Sequence, residues 1–223
     1  MVLIGVGQIG EQRQADRLAV IGFGLGELPG LEAQRAVEHH LLRGVGDVVV
    51  APDDATGALE RLANSTCRVV VLSQNPYYLA LKGFSALDTF PAHRFPRFMA
   101  VSEGLKDLIV RAYPGTTVDV VPCFADERIF RPLPEKTLTV AYAPKKRLLE
   151  FPIIKELFRK LHPRHADLNW VALNGMREKE VAETLGGASL FLSLSRLESV
   201  GMTTLEAMAC RCLCAGFTGQ GGD

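Results

Sequence analysis

Short apolar runs rich in β-branched residues alternate along this chain with longer segments whose apolar positions return every third or fourth residue. The short runs suit strands and the longer segments amphipathic helices. Their regular alternation is the pattern of an α/β protein with a mostly parallel sheet. Strands are predicted at 17–23 (RLAVIGF), 47–52 (DVVVAP), 67–73 (CRVVVLS), 97–102 (RFMAVS) and 117–122 (TVDVVP). Between them the helical pattern covers LEAQRAVEHHLLR, TGALERLAN and SEGLKDLIVRAY. The last opens on Ser102 as a cap, followed by Glu103 as a first-turn acid.

The rhythm breaks at FRPLPEKT (130–137), where two prolines and a charge pair interrupt it, and then restarts. Strands are predicted at 137–143, 168–173, 189–195 and 212–217. Helices are predicted through LLEFPIIKELFRKL, at 177–185 (REKEVAETL) and at 203–210 (TTLEAMAC). The expected organisation is two α/β units, 1–133 and 134–223, with no internal repeat and no low-complexity tract. GQGGD follows the last strand with no helical pattern after it. A sheet left partly uncovered on that side is expected to be marginally stable, oligomeric, or both.

One stretch of the second unit carries chemistry. LESVGMTTLEAMAC (197–210) places Glu198 directly after an apolar strand and Glu206 inside the following helix. A strand, a short glycine turn and a helix put free backbone N–H groups at the carboxyl edge of a parallel sheet, and with the helix dipole they form an anion site. Gly201 allows the backbone to approach a ligand, and Thr203 and Thr204 can cap or donate hydroxyls. Glu206 could accept hydrogen bonds from vicinal hydroxyls such as those of a ribose, with Glu198 facing the same cleft. A capped surface helix with an incidental turn glutamate explains the same residues without a ligand.

The surroundings separate the two readings. LFLSLSRLESVGMTTLEAMACRCLCAGFTGQGG resembles the donor-binding segment of retaining GT-B glycosyltransferases: a strand, a glutamate, seven residues, a second glutamate, EAMAC, a short strand and a Gly-Gly turn. Upstream, FMAVSEGLKDLIVRAYPGTTVDVVPCFADERIFRP is similar to the end of that family's first domain and its linker, with Cys123 and Phe124 where many members carry Asn-Gly. The resemblance implies a GT-B-like fold of two Rossmann-like parallel-sheet halves, the second incomplete at its C-terminus. The first half would be the acceptor side and the second would bind the nucleotide-sugar.

The implied reaction transfers a sugar from a nucleotide-sugar to an acceptor hydroxyl with retention, without metal and without cofactor. Glu206 would hold the ribose, Glu198 would lie near the donor sugar and phosphates, and the backbone of Gly201, Met202 and Thr203 would take the diphosphate. AYAPKKRLLE places Lys145, Lys146 and Arg147 where the family neutralises the leaving diphosphate. Charge grows there as the glycosidic bond breaks, so cations stabilise the transition state preferentially. Positive charge just ahead of a helix is otherwise unfavourable. Gly175 in LNGM (173–176) would let the nucleotide base approach. The implied partners are the donor and an acceptor such as a glycan or a lipid-linked sugar, compatible with peripheral membrane contact; nucleic acid is not among them. The competing reading is a truncated or degenerate relative without catalytic activity.

Other motifs in the chain carry weaker signals. GVGQIG (5–10) satisfies G-x-G-x-x-G but has neither the full preceding strand nor the crossover helix that a dinucleotide site needs. CRCLC (210–214) lacks zinc spacing and reads as three small core residues sharing one strand face. Asn75, Tyr77 and Tyr78, after a strand end, could line a pocket or pack a core. His93 reads as a loop residue first.

Composition narrows this further. Of 223 residues, 48% are hydrophobic and 25 basic side chains balance 25 acidic ones, which argues for a globular chain and against a nucleic-acid binder. No apolar run approaches the ~18 residues that span a bilayer. The N-terminus has no positive region ahead of its apolar residues. Five cysteines, an odd number without regular pairing, fit a reducing cytoplasm.

Overall fold

The computed structural model describes residues 4–8, 17–21, 48–144 and 147–217. The predicted helix LEAQRAVEHHLLR, and Lys145 and Lys146, lie outside the described residues. The chain divides into two compact units, Met1–Pro122 and Cys123–Asp223.

The first unit carries a six-stranded sheet in the order β1 (Ile4–Gln8), β2 (Arg17–Ile21), β3 (Val48–Pro52), β4 (Arg68–Ser73), β5 (Arg97–Ala100), β6 (Val118–Val120). All neighbours pair in parallel except β1 and β2, which are antiparallel. The sheet is mostly parallel, as expected, with one antiparallel pair at its edge. The segment 9–16 is too short for a parallel crossover, which takes a dozen residues or more. β1 itself was not predicted; it contains Gly5 and Gly7, so these glycines sit in a ladder and not on a phosphate-binding turn.

Register places Val49, Ala51, Val69, Val71, Phe98 and Ala100 on one face of this sheet, and all six are buried. The buried Leu59 and Leu62 come from α1 (Thr56–Ala63), and Leu105 and Ile109 from α3 (Glu103–Ala112). Ser102 caps α3, its Oγ accepting the Leu105 N–H at 3.3 Å. The helical stretch α2 runs through Pro76–Tyr78, a π-helical turn Leu79–Gly83 and Phe84–Leu87. Asn75, Tyr77 and Tyr78, read from the sequence as lining a pocket or packing a core, stand at its start. Asn75 is its cap, Oδ1 accepting the Tyr77 N–H at 2.9 Å, and Pro76 supplies the first helical position.

The second unit holds four parallel strands in the order β10 (Leu213–Gly216), β9 (Ala188–Ser193), β7 (Thr137–Tyr142), β8 (Asn169–Ala172). Period-two alternation divides its core in two. Ala141 and Phe191 face a cluster with Leu185 of α5 (Glu178–Gly187), Ala207 of α6 (Met202–Ala209), Cys210 and Cys212. The neighbouring Tyr142 and the half-buried Leu192 belong to a second cluster with Phe151 of α4 (Glu150–Leu161) and Trp170. The Tyr142 and Phe151 rings stack at 3.6 Å.

The sequence reading put the boundary at 133; the division falls after Pro122. Phe130 is buried in the second unit's core, and the Leu133 N–H donates to the Gly186 carbonyl at 3.0 Å. A Cβ at Gly186 would sit 2.9 Å from the Arg131 carbonyl oxygen, so this approach needs a glycine. The proline-rich break is therefore packed structure belonging to the second unit.

Candidate functional site

Strand order locates the site. The chain passes from β7 outward to β8, then returns across β7 to β9 and on to β10, so the order reverses between β7 and β9. In open parallel sheets such a reversal splays the following loops apart and opens a crevice at the carboxyl ends of the strands. The loop after β7 carries Arg147; the loop after β9 carries Arg196, Glu198, Ser199 and Gly201. Every candidate residue of the second unit that the structure describes, except Gly175, lies on these loops or on α6.

α6 forms because Met202–Ala209 is a run of helix formers with Ala207 fully buried beneath it. Gly201 is its N-cap, and no side chain caps it. Thr203 and Thr204 are therefore not caps: the Thr204 N–H folds back to the Gly201 carbonyl at 2.8 Å, and Thr204 Oγ1 lies 3.4 Å from Ser193 Oγ. The first-turn amides of Met202 and Thr203 remain to meet an anion. Gly201 has φ −72°, which any residue adopts, but a Cβ there would come 3.1 Å from Thr204 Oγ1. A larger residue there would need the Thr204 hydroxyl to shift by a few tenths of an ångström.

Glu206 lies one turn into α6 and is half-buried. Burial, and secondarily the nearby Glu178 at the start of α5, hold its carboxyl above the usual glutamate range. Glu198 is half-buried in the loop that precedes α6.

Arg147 sits in the turn ahead of α4, its carbonyl accepting the Glu150 and Phe151 N–H groups at 3.1 and 3.3 Å. Its side chain is only 13% exposed. One guanidinium nitrogen pairs with Glu150; the other, Nη1, is buried with no partner among the described residues, and so is Ser199 Oγ. Such groups cost about 1–3 kcal/mol each when left unpaired, more for a charge, and are few in folded proteins.

Phe217 completes the edge. Ser193 Oγ donates to its carbonyl at 2.7 Å and its N–H donates to the Ser193 carbonyl at 3.0 Å. Gly216 before it has φ +120°, and a Cβ there would lie 2.1 Å from the Ser193 carbonyl oxygen. Glycine alone allows β10 to close on β9 this way. The Arg147 guanidinium lies 4.9 Å and the Arg196 guanidinium 5.9 Å from the Phe217 ring centre. Arg196, Ser199 and Phe217 were missed in the sequence. The available signal was that Arg196 and Ser199 flank Glu198 in one turn.

Gly175 takes φ +69° in an exposed turn after β8, a left-handed conformation that favours glycine. The three cysteines of CRCLC do not share a strand face. Cys210 caps α6, Cys212 lies in the turn with Sγ 3.2 Å from the Leu185 carbonyl oxygen, and Cys214 is on β10. All are free and pack in or against the core, where burial pushes their thiols up.

No protein-family model matches the chain. An alpha-1,6-glucosyltransferase of Actinobacillus pleuropneumoniae serotype 7 (strain AP76) is 30% identical over 154 residues, which is 68% of this chain and 46% of that protein. The chain spans about half the length of the curated relative it matches. A mutant of S. aureus TarM, crystallised with Fondaparinux, alpha-GlcNAc-glycerol and UDP, superposes with a TM-score of 0.59 at 13% identity, covering 82% of this chain and 43% of that one. A GtfA/B complex gives 0.54 at 12% identity, covering 84% and 45%. The fold is α/β and GT-B-like. The relative that is 30% identical carries the name of a glucosyltransferase.

Proposed function

We propose that this chain supplies the donor site of a glycosyltransferase, which moves a sugar from a nucleotide-sugar to an acceptor hydroxyl. One observation carries the reading: the uncapped N-terminus of α6 opens at the strand-order reversal, with Glu198 before it, Glu206 one turn inside it and Arg147 on the adjacent loop. The glucosyltransferase name of the relative supports the class and suggests glucose as the sugar. The second unit would bind the donor and the first the acceptor, a glycan or a lipid-linked sugar.

In this reading Glu206 accepts hydrogen bonds from the ribose hydroxyls, the Met202 and Thr203 amides meet the diphosphate, and Glu198 faces the donor sugar. Gly175 leaves room for the base. Arg147, with Lys145 and Lys146, stabilises the diphosphate as it leaves, and transfer proceeds with retention and without metal. These cations favour the transition state over the bound donor, because negative charge on the leaving oxygen grows only as the bond breaks. Calorimetric titration with UDP, GDP and ADP tests the reading. The chain should bind one of them in preference, and Glu206→Ala should weaken that binding by about 1.5–3 kcal/mol while leaving the fold intact. Binding of none of the three, or equal binding by the variant, rejects the donor site or the ribose role respectively.

A further inference from the structure

Arg147 and Arg196 come from loops after two different strands, yet both guanidinium groups lie within cation–π range of one ring, Phe217 at the end of a third. Two like charges gathered on one aromatic ring repel each other, and a polar solvent would draw both away. Neighbouring carboxylates do not account for the pair. Glu150 takes one nitrogen of Arg147, whose Nη1 stays buried and unpaired among the described residues. Ser199 Oγ, three residues after Arg196, is also buried without a partner. The arrangement has unmet donors beside the N-terminus of α6, itself an electropositive helix end.

We propose that Arg147 and Arg196, both held over Phe217, form a two-guanidinium clamp for the diphosphate group of the donor, with Phe217 as the positioning residue that sets their spacing. The inference rests on the donor-site reading and deepens it: Arg196 becomes a further phosphate-binding side chain and Phe217 the element that preorganises Arg147 and Arg196. Phe217 can do this because its own backbone is fixed. The paired hydrogen bonds to Ser193 and the glycine-only closure at Gly216 fix the point from which the ring projects. A planar guanidinium supplies parallel donors that match phosphate oxygens, and an aromatic face holds that plane without consuming its N–H groups. Ser199 Oγ is available to donate to the same anion.

The test uses the whole chain and two probes, inorganic pyrophosphate and UDP, titrated at low and high salt. Pyrophosphate carries the clamped group without base or ribose, so it separates the clamp from the donor-site reading. Arg196→Gln and Phe217→Leu should each weaken pyrophosphate binding about tenfold, the scale of one charge-assisted hydrogen bond. Both should also flatten its salt dependence, whereas Phe217→Trp should restore the parent's affinity and salt response. Arg196→Gln alters an exposed side chain, so it decides the matter even where Phe217→Leu disturbs the end of β10. Pyrophosphate binding with these effects but no nucleotide binding supports the clamp and removes the donor-site reading. UDP and pyrophosphate bound equally well by the parent, Arg196→Gln and Phe217→Leu overturn the clamp and leave the donor site standing. Absence of both bindings in the parent overturns both.

Discussion

Asp53 offers a test of the first unit that does not depend on any ligand. It lies just past the carboxyl end of β3, is 2% exposed, and accepts a hydrogen bond from the fully buried Ser73 at 2.5 Å. Burial pushes its carboxyl up from 3.8 to about 6, against the opposing hydrogen bonds from Ser73 and from backbone amides. Because the folded value is the higher one, the folded state holds the proton more tightly. The stabilisation from that proton is complete below the unfolded pKa and disappears as pH rises through the folded one, between about 4 and about 6. At about 1.4 kcal/mol per unit the shift amounts to about 3 kcal/mol.

Asp53→Asn removes the titration and keeps a group able to bond Ser73. Urea unfolding followed by far-ultraviolet circular dichroism at about pH 4, 5 and 7 measures the difference between parent and variant, which cancels other carboxylates. The variant should gain on the parent by about 2.4 kcal/mol on going from about pH 4 to about pH 7, the rest of the shift lying below about pH 4. Trp170, the chain's one tryptophan, sits on β8 and reports the second unit separately. A parent-to-variant difference that stays constant across this range would mean that Asp53 is solvated or paired in the folded state, and the burial argument would fail.

Glu178→Gln removes the like charge beside Glu206, so the acid limb of nucleotide affinity, set by protonation of Glu206, should move to lower pH; an unmoved limb would separate the two carboxylates. Arg211 follows α6 with φ +59° and closes a Schellman turn, the Cys212 N–H donating to the Ala207 carbonyl at 2.9 Å. A side chain in that conformation costs about 1 kcal/mol, so Arg211→Gly should raise the melting temperature read by Trp170 fluorescence, and a fall would contradict the turn. Neutralising Lys146 and Arg147 together should lower turnover more than donor affinity; weaker binding at unchanged turnover would confine them to the ground state.

The sequence reading failed where a segment's conformation is chosen by distant partners. Ile4–Gln8 carries two glycines and reads poorly as a strand, yet its pairing with β2 makes it one. The stretch after Asn75 did carry a legible signal, a capping residue followed by proline, which strand-end reasoning overrode. The boundary at 133 followed the prolines of FRPLPEKT, whereas Phe130 and Leu133 show that prolines mark a change of direction and do not exclude packing. No helix among the described residues is long and apolar enough to cross a membrane, in line with the absence of a long apolar run.

The sequence by itself determined the alternation of strands and helices, the two-unit organisation, and the local order of strand, glutamate, glycine turn and helix at 188–209. These features depend on near neighbours: hydrophobic period, cap residues and turn chemistry act within one or two helical turns. Tertiary structure alone decided that β9 returns across β7, and so that the loops after both strands open at one crevice. It also decided that Phe217, Arg147 and Arg196 meet. Those residues are separated by 21 to 70 positions, and no local pattern encodes the contact. It follows from strand order and from one glycine, Gly216, whose missing side chain lets β10 close on β9.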